Sequence, residues 1–420
     1  MAAEGRTARG LRRVPQSAPP PRERQRGGEP GDRPRQRRTR LKFKIFSLGQ
    51  GLDMPLFVFI MVLLAVGLVM LFSASYADSY YRQGDSYYYI SRQGGFALAG
   101  TAAMLLISTF DYHQFHKLAL PILGVSVLLL IIVLAFKGTS LAPVEGVANR
   151  WLDFDPLPIR FQPSEVAKFA LILMFAHLIS QNAARMHTFR YGVVPFVGLM
   201  ALIAGLIALE HHLSATLIIL LLGASLMFVG GTRVRWFVIG GSIILAALIL
   251  MLAFGGSYQT DRVVGWLDPF NAPEGVDTYQ TRQSLYAIGS GGFLGLGLGQ
   301  SRQKYLYLPA PQNDFIFAIV CEELGMVGAL VIMVLFGMLI WRGVYVSLKA
   351  KDRFGMLLGL GITFQIGIQA VLNICVVTNT IPNTGISLPF FSYGGTALLM
   401  LLGEMGVLLN ISRSASVEKT

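Results

Sequence analysis

The sequence predicts an all-α polytopic membrane protein, with ten transmembrane helices and a long structured outer loop between the seventh and the eighth. Three observations predict it. Hydrophobic residues make up 53% of the 420 residues and charged residues only 14%, against about 25% charged in an ordinary soluble domain. Apolar runs long enough to cross about 30 Å of hydrocarbon recur along the whole chain. Lys and Arg gather in alternate connections between those runs. Such a composition excludes a DNA-binding module, a soluble oxidoreductase and a disulfide-stapled secreted domain.

The first element is a tail. Residues 1–52 hold 14 Lys/Arg against 4 Asp/Glu, and the rest of the chain holds 21 against 19. The basicity therefore belongs to the tail, and the membrane body is nearly neutral. Residues 1–50 have almost no large apolar side chains before Leu41, so they cannot bury a core and read as a disordered basic cytoplasmic tail. No apolar segment with a small-residue cleavage site follows the first charges, which argues against a signal peptide. The simple role is that of a topology determinant beside anionic lipid headgroups. Recruitment of a cytoplasmic partner, or of nucleic acid, is the other reading.

Ten apolar segments follow, at about 54–75, 93–110, 118–136, 163–180, 192–209, 213–230, 236–254, 314–340, 355–378 and 392–411. With the N-terminus inside, the short cytoplasmic connections and end carry eleven cations. These are Lys117, Arg185, Arg190, Arg233, Arg235, Arg342, Lys349, Lys351, Arg353, Arg413 and Lys419. The outer loops carry fewer over more than twice the length. Both termini are therefore expected in the cytoplasm. The predicted domains are the tail 1–50, the membrane domain 51–413 with its large outer loop 255–313, and a short cytoplasmic end 414–420. A second outer loop covers 137–162, on the same side, so the chemistry is expected to face outward.

Polar groups inside a bilayer mark function or internal pairing. Glu165 and Lys168, three apart at the start of the fourth span, share a helix face. They form either a structural ion pair or a substrate contact. Glu322, Glu323 and Glu404 have no cation near them in sequence, so their partners must come from other helices or from water. Asp314 opens the eighth span within Asn313-Asp314-Phe315. Two readings of it are open: a helix N-cap, or a carboxylate at the water–lipid boundary able to take a proton from a substrate at the membrane surface. The long loop contributes Arg262, Arg282, Arg302 and Lys304 around a run with six glycines between 289 and 299. No Gly-Lys-Ser/Thr follows, so this is not a P-loop. The glycines suit close backbone approach to a ligand or to another segment, and the cations suit an anion such as a pyrophosphate. Cys321 and Cys375 lack metal or redox spacing and read as small core residues. No nucleotide site or organic cofactor site is apparent.

Several motifs together resemble the SEDS family (shape, elongation, division and sporulation), which includes FtsW, RodA and SpoVE. They are Asn149-Arg150-Trp151-Leu152 with Phe161-Gln162-Pro163-Ser164-Glu165 through Lys168; Tyr279-Gln280 through Gln283-Ser284-Leu285; Gly295 through Ser301 and Gln303-Lys304; Asp314-Phe315-Ile316-Phe317 with Glu322-Glu323-Leu324-Gly325; and Ile381-Pro382-Asn383 through Phe391-Ser392-Tyr393-Gly394. The resemblance covers about residues 50–413, and the Gly-Leu-Gly run looks most like the division and sporulation branch. Three stretches depart from the pattern: Glu210-His211-His212, Thr384, and Val276-Asp277-Thr278 before Tyr279.

The resemblance implies a ten-helix glycosyltransferase at the outer face of the plasma membrane that polymerises lipid II into peptidoglycan. It also implies a class B penicillin-binding protein as partner, with other cell-division or elongation proteins. The family's essential acid falls on Asp314. The matched polar residues Glu165, Lys168, Gln283, Ser284, Glu323, Ser392 and Tyr393 join Arg150, Arg160, Arg262, Arg302 and Lys304 as candidate substrate-binding residues. A divalent cation, Mg²⁺ or Mn²⁺, bridging Asp314 and a pyrophosphate is an expectation of the chemistry, although one carboxylate does not define a metal site. A lipid II flippase and a non-enzymatic division scaffold are the rival functions.

Overall fold

The computed structural model describes residues 51–144, 149–154, 160–254 and 263–415. The basic tail, Arg262 and the end 416–420 lie outside the described residues. The helices are α1 (Met54–Gln83), α2 (Tyr88–Ile107), α3 (His113–Ala135), α4 (Pro163–Gln181), α5 (Val194–Leu209), α6 (Leu213–Gly230), α7 (Val234–Phe254), α8 (Tyr279–Gly291), α9 (Ile316–Leu348), α10 (Arg353–Val377) and α11 (Gly395–Ser414). Nine of these, with α5 counted from the short helical segment that begins at Phe189, are long and apolar enough among the described residues to cross a membrane. A tenth, α7, has 21 residues with an apolar stretch over Val234–Ala246. The ten spans correspond to the ten apolar segments, and α8 lies in the long outer loop. The chain is thus a multi-pass membrane protein.

Local chemistry sets the helix ends. Asp53 caps α1 by accepting from the Leu56 amide at 3.0 Å, with Pro55 in the first turn. Gly84 stops the helix in the left-handed region, at φ 72°. α1 runs eight residues past the predicted apolar segment because polar pairs carry it on, among them Arg82 Nε to Asp78 Oδ1 at 2.6 Å. Asp352 caps α10 through the Gly355 amide at 3.3 Å.

Contacts between helix ends confirm the alternation of direction. Asp53, before α1, receives Arg342 near the end of α9 at 2.7 Å. Asn410, near the end of α11, bonds Ser108 at the end of α2 at 2.8 Å. One end of the bundle therefore gathers these groups, and the opposite end gathers the 84–88 turn and the 149–154, 160–162, 312–314 and 385–394 segments. Outward faces expose residues such as Leu98, Leu120, Val238 and Ile243, as a lipid-facing surface does. The all-α frame carries one small addition, a hairpin of Leu152–Asp153 paired antiparallel with Arg160–Phe161.

The longest helix is broken where the glycine-rich run docks. Gly325 has φ 65° and ψ −168° inside α9, a conformation open essentially to glycine. A Cβ there would meet the Gly295 nitrogen at 2.3 Å, and one on Gly295 would meet the Glu323 carbonyl oxygen at 2.1 Å. Backbone groups freed by the kink are taken up by the run itself. Leu296 N donates to Glu322 O at 2.9 Å, Gly297 N to Glu323 O at 3.0 Å and Met326 N to Gly292 O at 2.9 Å. The glycines thus serve approach to another segment of the chain.

Candidate active site

A cavity of about 1040 Å³ opens at the end of the bundle that holds the 84–88 turn and the 149–154 segment. Asp314, Arg150, Arg160, Glu165, Ser392 and Tyr393 all line it. These six candidates come from five separate stretches of sequence.

Asp314 lies just before α9, but it does not cap it. The cap position is Phe315, and no side chain makes a capping bond. Asp314 lines the cavity instead. Its backbone is pinned: Asn373 Nδ2 donates to Asp314 O at 2.7 Å and to Ile386 O at 2.6 Å. Gly385 lets the loop close on the carboxylate, since a Cβ there would lie 3.1 Å from Asp314 Oδ2. Burial pushes the Asp314 carboxyl above the usual carboxylate range, while its own amide and the nearby Arg150 guanidinium pull the other way.

The hairpin sets the cations. Arg160 faces Asp153 across the ladder, with Nε 3.3 Å from Asp153 Oδ1. Thr396 at the start of α11 donates to Arg160 O at 2.9 Å and ties the hairpin to the bundle. Glu165 reaches the cavity while Lys168, fully buried, holds it at 2.8 Å. The sequence left a structural pair and a substrate contact open; here the pair exists and its acid also lines the cavity. Tyr393 meets the Tyr89 ring edge-on at 4.8 Å. Ser392 is structural in its contacts, accepting the Leu388 amide at 2.8 Å, with Gln93 bonded to its carbonyl at 3.3 Å. Phe390, which lines the same wall, has φ 67°, a strained backbone for a bulky residue and common at functional sites.

Other candidates lie away from the cavity. Lys304 is buried, with Nζ 3.0 Å from Glu323 Oε1 and 2.7 Å from Gly299 O. Glu323 also accepts from Ser73 Oγ at 2.7 Å. Glu322 takes the Arg302 amide at 3.0 Å and the Ser301 hydroxyl. The expected anion site of free cations and exposed amides is therefore replaced by an internal network that fastens the glycine-rich run to α9 and α1. Arg302 is exposed. Ser284 is buried and donates to Val377 O at 2.8 Å, and half-buried Gln283 sits beside it on α8. Ser284 thus docks α8 against the end of α10. Arg262 lies outside the described residues.

Sequence reasoning missed Arg92, Gln312, His212, Gln365 and Gln369, which all line the cavity. Arg92 stacks over the Tyr88 ring at 4.2 Å. It lies in the first turns of α2, just ahead of the predicted second span, in a stretch that carried no motif. Gln365 and Gln369, one turn apart on α10, were a legible signal, because two amides on one face of a membrane helix need partners.

Among the described residues no group of three His, Cys, Asp or Glu side chains could hold a metal ion. Of the carboxylates on the cavity, Asp153 is engaged by Arg160 and Glu165 by Lys168. The donor set fits a divalent cation only as a single carboxylate, Asp314, shared with the oxygens of a bound substrate.

Comparison with known proteins agrees with this geometry. Residues 54–417 match the profile of the FtsW, RodA and SpoVE family, described as cell cycle protein. Stage V sporulation protein E of Bacillus subtilis (strain 168) is 39% identical over 86% of this chain and 97% of its own. A probable peptidoglycan glycosyltransferase FtsW of Geobacter metallireducens is 36% identical, covering 86% of this chain and 94% of its own. In structure, a chain of a peptidoglycan synthase complex that coordinates polymerization and crosslinking superposes with TM-score 0.71 and 26% identity, over 86% of this chain and 98% of that one. The crystal structure of the Thermus thermophilus rod shape determining protein RodA superposes with TM-score 0.64 and 26% identity, over 88% and 99%. With a profile that runs from the first span past the last, the chain belongs to the FtsW, RodA and SpoVE family of cell cycle proteins.

Proposed function

We propose that this protein is a peptidoglycan glycosyltransferase that polymerises lipid II at the outer face of the plasma membrane, with both termini in the cytoplasm. One observation carries the reading. A recessed carboxylate, Asp314, shares a large cavity with Arg150 and Arg160, and relatives of similar length bear the name of that enzyme.

The chemistry follows from the groups present. A sugar hydroxyl is a poor nucleophile until a base takes its proton. Asp314, held by Asn373 and raised above the usual range by burial, is suited to take the proton of the acceptor 4-hydroxyl. That oxygen attacks the anomeric carbon of the lipid-linked donor from the face opposite the leaving group. The bond to the pyrophosphate breaks, its electron pair leaves with undecaprenyl pyrophosphate, and the configuration inverts. Arg150 and Arg160 supply positive charge where that negative charge develops. Asp314, together with pyrophosphate oxygens, is also where Mg²⁺ or Mn²⁺ would be held, adding charge neutralisation at the leaving group.

The partner is a class B penicillin-binding protein, whose transpeptidase would crosslink the strands made here. The solved synthase complex among the structural neighbours, described as coordinating polymerization and crosslinking, supports that pairing. The test gives purified full-length protein lipid II with Mg²⁺ or Mn²⁺, with and without the partner, and displays glycan strands on a gel. Polymer from the wild type but not from Asp314→Ala supports the reading. No polymer even with the partner overturns it and returns attention to lipid II transport.

A further inference from the structure

Two glutamines on the cavity wall are held in the same unusual way. Gln312, 4% exposed, donates its amide N–H to Asp78 Oδ2 at 3.0 Å. Gln365, 2% exposed, donates to Glu404 Oε2 at 2.8 Å. In each glutamine the NH₂ is turned toward the acid and the C=O is turned away from it. Both amide oxygens are buried and have no hydrogen-bond partner. An unpartnered buried acceptor lowers stability, and two of them on residues that line one cavity, each beside a buried acid, call for a ligand.

The surroundings fix the Gln312 amide. Asp78 also accepts from Arg82 Nε at 2.6 Å and Tyr89 OH at 3.3 Å, while Gln312 O accepts the Tyr393 amide at 2.8 Å. Gln312 stands two residues from Asp314. Gln365 belongs to α10, with Gln369 one turn on. His212, on the same cavity, also has an unpartnered ring nitrogen, but an imidazole can donate or accept and does not choose between ligands. Arg150 and Arg160 only donate, so they take the anionic end of a ligand and cannot select its donors.

We propose that Gln312 and Gln365 are specificity-determining residues whose amide oxygens accept hydrogen bonds from uncharged donors, hydroxyl O–H and acetamido N–H, on the sugar of the bound substrate. The inference rests on the glycosyltransferase reading and adds to it how the carbohydrate is recognised. A site built to bond a substrate O–H or N–H rejects the analogue that lacks it, because its own polar group is then left unpaired.

The experiment places the full-length protein in lipid nanodiscs. The probes are lipid II, an analogue with a ring hydroxyl replaced by hydrogen and an analogue N-methylated at the acetamido group. Binding and turnover are measured for the wild type, Gln312→Leu, Gln365→Leu and Gln365→Leu/Glu404→Leu. Each leucine variant is expected to lose about tenfold in kcat/KM on lipid II, mostly through KM. On the analogue lacking that residue's donor, wild type and variant should agree within about twofold. The double variant removes both halves of one dyad, so it should regain thermal stability while still failing to discriminate the analogues. Equal losses on every substrate overturn the proposal, as does a double variant that recovers stability and discrimination together. If the wild type makes no polymer, the glycosyltransferase reading fails by itself. The same comparison read in binding then decides this one: coupling between residue and donor sustains the subsite, and its absence removes it.

Discussion

Asp314 illustrates how one side chain can be ambiguous in sequence and defined in space. An Asp before an apolar helix is an N-cap in many proteins, and only the position of Phe315 as the cap residue frees the carboxylate for chemistry. Replacing Asp314 by Asn is expected to lower kcat at least about a hundredfold, the scale of a lost general base, read as strands on a gel from a variant that still binds its partner. The pH profile carries a sign. A base must be ionised, and burial raises this one, so the acid limb of kcat/KM should lie above the ordinary aspartate value of about 3.9. Arg150 favours the ionised form, so Arg150→Ala should move that limb to higher pH, and an unmoved limb would remove Asp314 as the titrating base. Linkage runs the same way. With its folded pKa raised, Asp314 stabilises the fold most below about pH 3.9, and that contribution is lost as pH rises through the folded value. Asp314→Asn should therefore melt no lower than wild type at neutral pH.

At the scale of elements, the contact between the glycine-rich run and the kinked α9 holds the outer loop. Gly325→Ala forces a Cβ into the Gly295 backbone and places a side chain in a glycine-only conformation, at a cost of about 1–3 kcal/mol from backbone strain alone. Lys304→Met leaves buried Glu323 without its cation and should cost about 3 kcal/mol. Both losses belong in the melting temperature in detergent. Neither residue lines the cavity, so KM for lipid II in the folded fraction should stay within about twofold of wild type. A large KM change for Lys304→Met at unchanged stability would place the pyrophosphate at the glycine-rich run after all.

For the whole molecule, the charge bias and the even span count make an orientation testable. In a background with Cys321→Ala and Cys375→Ala, Glu274→Cys in the long loop should react with an impermeant maleimide on intact cells. Lys351→Cys, between α9 and α10, should react only after permeabilisation. The reverse pattern would turn the cavity toward the cytoplasm and end the polymerase reading. Removal of residues 1–50 is expected to leave polymerisation by purified protein unchanged, because the motifs all lie beyond that tail. A loss of activity would assign the tail to the membrane domain's function.

Much of this was legible in the linear chain. Span number and order follow from hydropathy, because a bilayer requires each crossing to satisfy its own backbone, and that demand is written locally in runs of apolar residues. Asp314 and Glu165 stood out because charge next to such runs is costly and local, and Arg150 and Arg160 because they are loop cations in or beside the family's motifs. What could not be read from the chain depends on partners far apart in it. Lys304 and Glu323, 19 residues apart, read as substrate ligands until their 3.0 Å contact showed them satisfying each other. Gln312 and Gln365 drew no notice until Asp78 and Glu404, 234 and 39 residues away, turned their amides. Hydropathy is a property of neighbours in sequence, whereas hydrogen-bond saturation is a property of neighbours in space, and the latter separates a buried structural charge from a group held ready for a ligand.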